Sequence, residues 1–361
     1  MFHRFLDPAL RETVTAVRER PQFYPTGPNN KWTTAEKKAY QPFELNLLKK
    51  VFQPLSHQEV QTTPQWRQAP ILVTGNTEKS MMNRICARNF ARDHTSLVLY
   101  WKRPLLDDTL AESLTTGLYD LDGCPALFQF FVPGAPCYVT DNYCGKVQLG
   151  VANGTRGVMH SLSWEDAVVA DHARQLINDC PLSQLELEIP APSHVNIKVS
   201  LPSDHPPWPP HLTLVDHTSR QQNDGTVIIP IGYRQPPSNT YNGQETRVVK
   251  ISKNLTFLYN EHGVDLAFAF TVHKAQGNTV EQLLLQLKQP FEGAKRTFQM
   301  IYVMMSRARH SKDLRVLQEL TNLDWRSLAQ LRPPPHIVKW MMDINDQGQW
   351  EEGYGLQRYG P

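Results

Sequence analysis

The densest set of reactive side chains in the chain is Thr271-Val-His-Lys-Ala-Gln-Gly-Asn-Thr279. It offers two hydroxyls, an imidazole, an ammonium, an amide and a glycine that permits close backbone approach. Groups of this kind contact phosphate and sugar. The run follows Asp265-Leu-Ala-Phe-Ala-Phe270, which reads as a buried strand, and the carboxyl end of a strand is where open α/β sheets bind ligands. A lone His273 is also what a hydrogen-bonded structural histidine looks like, and the loop alone does not separate the two. A second cluster ends an apolar helical pattern, Phe298, Ile301, Tyr302 and Met305, in Ser306-Arg-Ala-Arg309. Arg307 and Arg309 there suit the negative end of the helix dipole. They also suit a bidentate contact to a phosphate.

The charge balance limits the partners. Lys+Arg 37 against Asp+Glu 35 leaves +2, which excludes a polybasic protein, so any nucleic-acid surface is local. Between Glu78 and Arg103 the bases Lys79, Arg84, Arg88, Arg92, Lys102 and Arg103 face only Glu78 and Asp93. A second basic excess lies between Glu245 and Arg315. Such segments are expected to face phosphate, although Arg84, Arg88 and Arg92 alone would also make a solvated helix face. Cys86, Cys124, Cys137, Cys144 and Cys180 form no C-x-x-C pair, which predicts no metal site, reduced thiols and an intracellular setting. No apolar run is long enough to span a membrane, and the start lacks the apolar stretch of a signal peptide.

The elements that must position these residues fall into blocks. Residues 1–60 read as a helical N-terminal region, with a helix over 43–52 and a capping box at Ser56-x-x-Glu59. Ile71–Thr74 reads as a strand, Glu78–Arg92 as a helix capped by Asn76 or Thr77, and Ser96–Trp101 as a second strand, together a βαβ unit. Residues 128–259 carry turn signals at Pro133-Gly134, Asn153-Gly154, Asp224-Gly225 and Asn242-Gly243 between short β-rich runs, the texture of an inserted β domain. Strand and helix texture returns over 260–330, with strands near 283–287 and 312–317. The expected architecture is therefore α/β, a parallel-sheet domain built from 61–127 and 260–330 and interrupted by a small all-β insert. The tail 331–361 is expected to fray.

His273-Lys-Ala-Gln-Gly-Asn-Thr279 followed by Tyr302-Val-Met-Met-Ser-Arg-Ala-Arg309 resembles motifs V and VI of superfamily-one DNA helicases, in the branch of RecD and the petite-integration-frequency (PIF) helicases. Pro133-Gly-Ala-Pro136 and Asn153-Gly-Thr-Arg-Gly157 resemble the start of that family's Src-homology-like β-barrel. Thr74-Gly-Asn76 with Met82-Asn83 resembles the opening of its second RecA-like domain. The resemblance implies a RecA-like fold for the split domain and Arg307 as an arginine finger on ATP and Mg²⁺. It implies Gln276, Gly277, Thr279 and Arg309 near the nucleotide. Thr271, His273, Lys274 and Asn76 would lie near single-stranded DNA. A eukaryotic member would be nuclear.

Two motifs of that family have no counterpart. No G-x-x-x-x-G-K-[S/T] loop occurs, since Gly145-Lys146 is followed by Val147 with Thr140 at the first glycine position, and no Asp-Glu pair occurs anywhere. The chain thus resembles only the C-terminal half of such a helicase, with ATP and Mg²⁺ not held stably by this chain alone and no ATP hydrolysis expected of it. The competing expectations are part of an ATP-dependent helicase acting with an N-terminal half, a non-catalytic nucleic-acid-binding module or inert remnant, and an interaction scaffold.

Overall fold

Three short strands form parallel neighbours in one sheet of the computed structural model, the first two all-aliphatic and the third Leu-Arg-Val. They are β1 (Ile71–Val73), β13 (Leu283–Leu285) and β14 (Leu314–Val316), with Ile71 opposite Leu284 and Leu283 opposite Leu314. Continuous apolar runs such as β1 and β13 suit strands buried on both faces. With β12 (Ala269–Thr271) the sheet order is β12-β1-β13-β14. The structure describes residues 7–18, 24–28, 31–39, 45–105, 117–140, 142, 151–200, 226–233, 247–252, 255–275, 280–288 and 296–359. The chain divides into two compact units, one made of 1–75 and 270–361, the other of 76–269.

In the first unit the N-terminal region belongs to the sheet. Pro54 bridges Val316 in parallel, and the Leu55 amide donates to the Val316 carbonyl at 2.9 Å. Helix α1 (Pro8–Arg18) packs on α3 (Leu45–Val51), while α2 (Thr34–Ala39) lies between them in sequence. Helix α4 (His57–Thr62) opens with the expected capping box: Ser56 Oγ accepts from the Glu59 amide and Glu59 returns a bond to the Ser56 amide. Glu59 also meets Arg315 of β14 at 2.8 Å, and Asp7 accepts from the Ser311 amide at 2.8 Å.

Through residue 359 the tail is folded rather than frayed. Helix α9 (Asn322–Ala329) is followed by α10 (Pro335–Met342) and α11 (Tyr354–Tyr359). Val338 and Met342 close over Tyr24, with Trp32 beside them. Asp343, 3 % exposed, accepts from the Tyr24 hydroxyl at 3.2 Å and from the Gly355 amide at 3.0 Å. One buried carboxylate thus ties the tail to a residue far away in sequence, which local pattern does not reveal. Asp343→Ala leaves those donors without their acceptor and is expected to cost about 2 kcal/mol. Limited proteolysis should then cut after residue 342 well before the sheet is attacked; unchanged resistance would refute the tie.

The second unit departs from the expected βαβ arrangement. Helix α5 (Asn76–Asp93) forms, but β2 (Val98–Lys102) does not return to the parallel sheet. It pairs antiparallel with β3 (Phe128–Phe131) and parallel with β6 (Glu186–Glu188). The aromatic run of β3 gives β2 a fully buried partner, and α5 is tied to β6 by Arg84 and Glu186 at 2.9 Å. A five-stranded antiparallel sheet adds β4 (Pro136–Val139), β5 (Arg156–Ser163), β7 (His194–Ser200), β8 (Thr226–Ile231) and β11 (Val264–Leu266), in the order β11-β4-β5-β7-β8. Strands β9 (Arg247–Ser252) and β10 (Leu255–Tyr259) make a separate hairpin. The stretch read as all-β also contains α6 (Ala167–Asn178), started by Asp166, whose carboxylate accepts from the Val168 and Val169 amides. Ala170 and Ala173, one turn apart, form its buried face. The fold is mixed α/β, a parallel sheet with additional sheets.

The single strand expected over 265–270 is two strands in different sheets. Val264–Leu266 pairs with β4, and Ala269–Thr271 lies beside β1. The break follows from the polar residue in the run. Asp265 pairs with buried Lys79, and its carboxylate also accepts from the Leu266 amide at 3.0 Å. Asn83 then takes both main-chain groups of Ala269, accepting from its amide at 2.7 Å and donating to its carbonyl at 3.1 Å.

Candidate nucleic-acid interface

Strand β12 ends at Thr271, half-buried, and the chain turns directly into one helical turn, α7 (Val272–Ala275). Val272 and Ala275, three apart, are buried, which leaves the two residues between them on the outer side. His273 is exposed and Lys274 half-buried. The order strand, apolar anchor, imidazole, ammonium, apolar anchor therefore places an exposed imidazole and a half-buried lysine side by side at a strand's carboxyl end. Gln276, Gly277 and Thr279 lie outside the described residues.

Helix α8 (Phe298–Met305) is capped by Thr297, whose hydroxyl accepts from the Met300 amide at 3.3 Å. Ile301, Met304 and Met305 are buried, and the Phe298 and Tyr302 rings stack at 6.5 Å. The helix stops at Met305, so Arg307 and Arg309 lie just beyond it instead of on its last turn. Arg309 is exposed. Arg307 is buried, at 7 % exposure. Its Nε donates to the Val303 carbonyl at 3.0 Å, Nη1 to the Ala275 carbonyl at 3.2 Å and Nη2 to Ser306 Oγ at 2.7 Å.

Asn76 is the exposed first residue of α5 and belongs to the other unit, so the four DNA-side candidates do not share one unit. The basic segment from 78 to 103 does not present its charge as expected. Lys79 pairs with Asp265, Arg84 with Glu186 and Asp122, Arg88 with Glu186, Lys102 with Glu188 and Arg103 with Glu261. Glu186 and Asp122 together hold the Arg84 guanidinium firmly charged, its pKa raised. Of the six bases only Arg92 makes a neutral contact instead, to Asn89 Oδ1 at 3.3 Å. Basic residues in the sequence reported internal acidic partners that lie far along the chain.

Sequence reasoning missed the buried pairs Lys79–Asp265 and Arg103–Glu261 and the buried His262. The available signal was a charged residue inside an otherwise apolar run, as at Asp265, because such a group is tolerated only when paired. Cys86, Cys124, Cys137 and Cys180 are free thiols, and burial pushes Cys86 up to about 11. Among the described residues no group of three or more His, Cys, Asp or Glu side chains could hold a metal. Three of the Arg307 donors are turned to protein oxygens. Among the described residues no helix is long and apolar enough to cross a membrane.

No family model matches the chain, and no curated protein matches it. Among solved structures it is similar to the Pif1 helicase from Candida albicans, at 14% identity and a TM-score of 0.44, over 94% of this chain and 58% of that one. It is similar to the Bacteroides Pif1 helicase in complex with ADP-AlF3 and ssDNA, at 14% identity and a TM-score of 0.45, over 97% of this chain and 56% of that one. It is also similar to Bacteroides Pif1 bound to ssDNA, at 14% identity and a TM-score of 0.43, again over 97% and 56%. The chain spans little more than half the length of these proteins.

Proposed function

We propose that this chain is a helicase-related module that contacts the backbone of single-stranded DNA through Thr271, His273 and Lys274. The observation that carries the reading is the turn at 272–275, which places an exposed imidazole and a half-buried lysine side by side at the carboxyl end of β12. The order of the motifs along the sequence supports it. Arg307 and exposed Arg309 would serve a nucleotide held by a separate N-terminal half, for Arg307 only if its guanidinium leaves Val303, Ala275 and Ser306. A non-catalytic nucleic-acid-binding module is the second reading, favoured by that engagement and by the missing phosphate loop.

Backbone contacts release counterions, so binding should weaken linearly in log affinity against log salt. The full chain with a fluorescent oligothymidine is expected to show that dependence. Lys274→Ala should reduce the slope by about 1, the signature of one phosphate contact. An unchanged slope for Lys274→Ala removes that residue from the interface, and no binding even at low salt overturns the reading. Steady-state ATP hydrolysis by the chain alone should be absent; hydrolysis abolished by Arg307→Ala would reveal a complete nucleotide site instead.

A further inference from the structure

We propose that Arg307 is the positioning residue of the 271–274 turn, holding it by bonds to the protein rather than to a ligand. This rests on the reading that the turn contacts DNA. Arg307 acts on both sides of the four residues 276–279. Its Nη1 donates to the carbonyl of Ala275, just before them, and its own carbonyl accepts from the amide of Val280, just after them, at 3.0 Å.

The reason such a residue is needed is local. Helix α7 is a single turn of four residues, too short to hold itself, since helix nucleation is unfavourable and the last carbonyls of any helix have no partner within it. Ala275 supplies one such orphan carbonyl. Val303, in the last turn of α8, supplies another, and it receives Arg307 Nε as well as the Ser306 hydroxyl at 3.0 Å. One guanidinium therefore serves the carboxyl ends of two helices, where a cation is favoured by both dipoles. The Ser306 hydroxyl fixes its far edge through Nη2. Only arginine has the planar fork of donors to reach separate carbonyls at once; lysine concentrates its donors at one point.

The test compares Arg307→Lys and Arg307→Ala with the wild type in the full chain, by amide hydrogen exchange and by oligothymidine binding across salt. Both variants are expected to speed exchange about tenfold at 272–275, the scale of one lost charge-assisted hydrogen bond, while the Val280 amide keeps its bond to the main-chain carbonyl of residue 307. Exchange in β7 should not change. DNA affinity should fall about tenfold in both variants with the salt slope unchanged, because the phosphate contacts remain the same in number. Affinity kept by Arg307→Lys together with a slope lowered by about 1 in Arg307→Ala would make Arg307 a phosphate contact and overturn the proposal. Equal acceleration throughout 1–75 and 270–359 would make it a general stabiliser and overturn it too. If the wild type binds no DNA, the proposed function falls, and unchanged exchange at 272–275 in both variants would independently refute the hold on the turn.

Discussion

Arg103→Ala should destabilise the 76–269 unit by about 3–5 kcal/mol, the scale for breaking one side of a buried ion pair. Arg103 and Glu261 side chains are 5% and 3% exposed and meet at 3.1 Å. Nη1 also donates to the Ala126 carbonyl at 3.0 Å and to the Tyr259 hydroxyl at 3.3 Å, with the guanidinium 5.2 Å from the Tyr259 ring centre. Burial opposes the charged form of Arg103, yet Glu261 and Tyr259 outweigh it and raise its pKa. Truncating the arginine takes the paired cation away from a buried carboxylate. The control is Arg103→Met with Glu261→Leu, which removes both charges and should recover most of the loss. Equilibrium denaturation followed by fluorescence of buried Trp101 measures it. A loss under about 1 kcal/mol in the single variant would mean that water reaches the pair.

The second large effect is in pH. His262 is fully buried, its Nε2 2.9 Å from the Pro192 carbonyl and its Nδ1 3.1 Å from Gln129 Oε1. The Trp101 ring meets it edge-on at 5.6 Å, and the Tyr233 ring lies at 4.0 Å. Burial, aided by His194 and Arg103, lowers its pKa to about 3 from 6.5, although the Pro192 carbonyl favours the charged ring. Below pH 6.5 the unfolded chain binds a proton that the folded one does not. Stability from this residue is therefore complete above 6.5 and falls by about 1.4 kcal/mol per pH unit toward 3. Carboxylates add their own loss only lower down. Glu36, where burial is outweighed by hydrogen bonds from Thr26 and Thr33, sits at about 2 against an ordinary 4.5, so its contribution is lost between those values as pH falls. Denaturation between pH 6.5 and 5 isolates the histidine. His262→Gln should flatten the curve there; equal slopes in both proteins would show that His262 is solvated.

The sequence determined the local elements whose cause is local. Aliphatic runs at 71–73 and 283–285 became strands buried on both faces, and Leu314 and Val316 flank Arg315 in the alternation of a strand with one polar side. The capping box at Ser56 and Glu59 formed because its two donors and two acceptors lie within one turn. The turn carrying His273 and Lys274 was legible as a polar segment after a strand, for the same reason. Strand partners were decided by the tertiary structure. Nothing within Val98–Lys102 says whether it joins β1 or β3; the packing of Phe128–Phe131 and the charges of Glu186 and Glu188 settle that. The split of 264–271 depended on Lys79 and Asn83, far away in sequence, and the folded tail on Tyr24 meeting Asp343. Arg307 shows the division most plainly. Its sequence position marks a cation at a helix end, a property of one segment, whereas its acceptors at Ala275 and Ser306 come from two segments, and only the folded chain brings both within reach of one guanidinium.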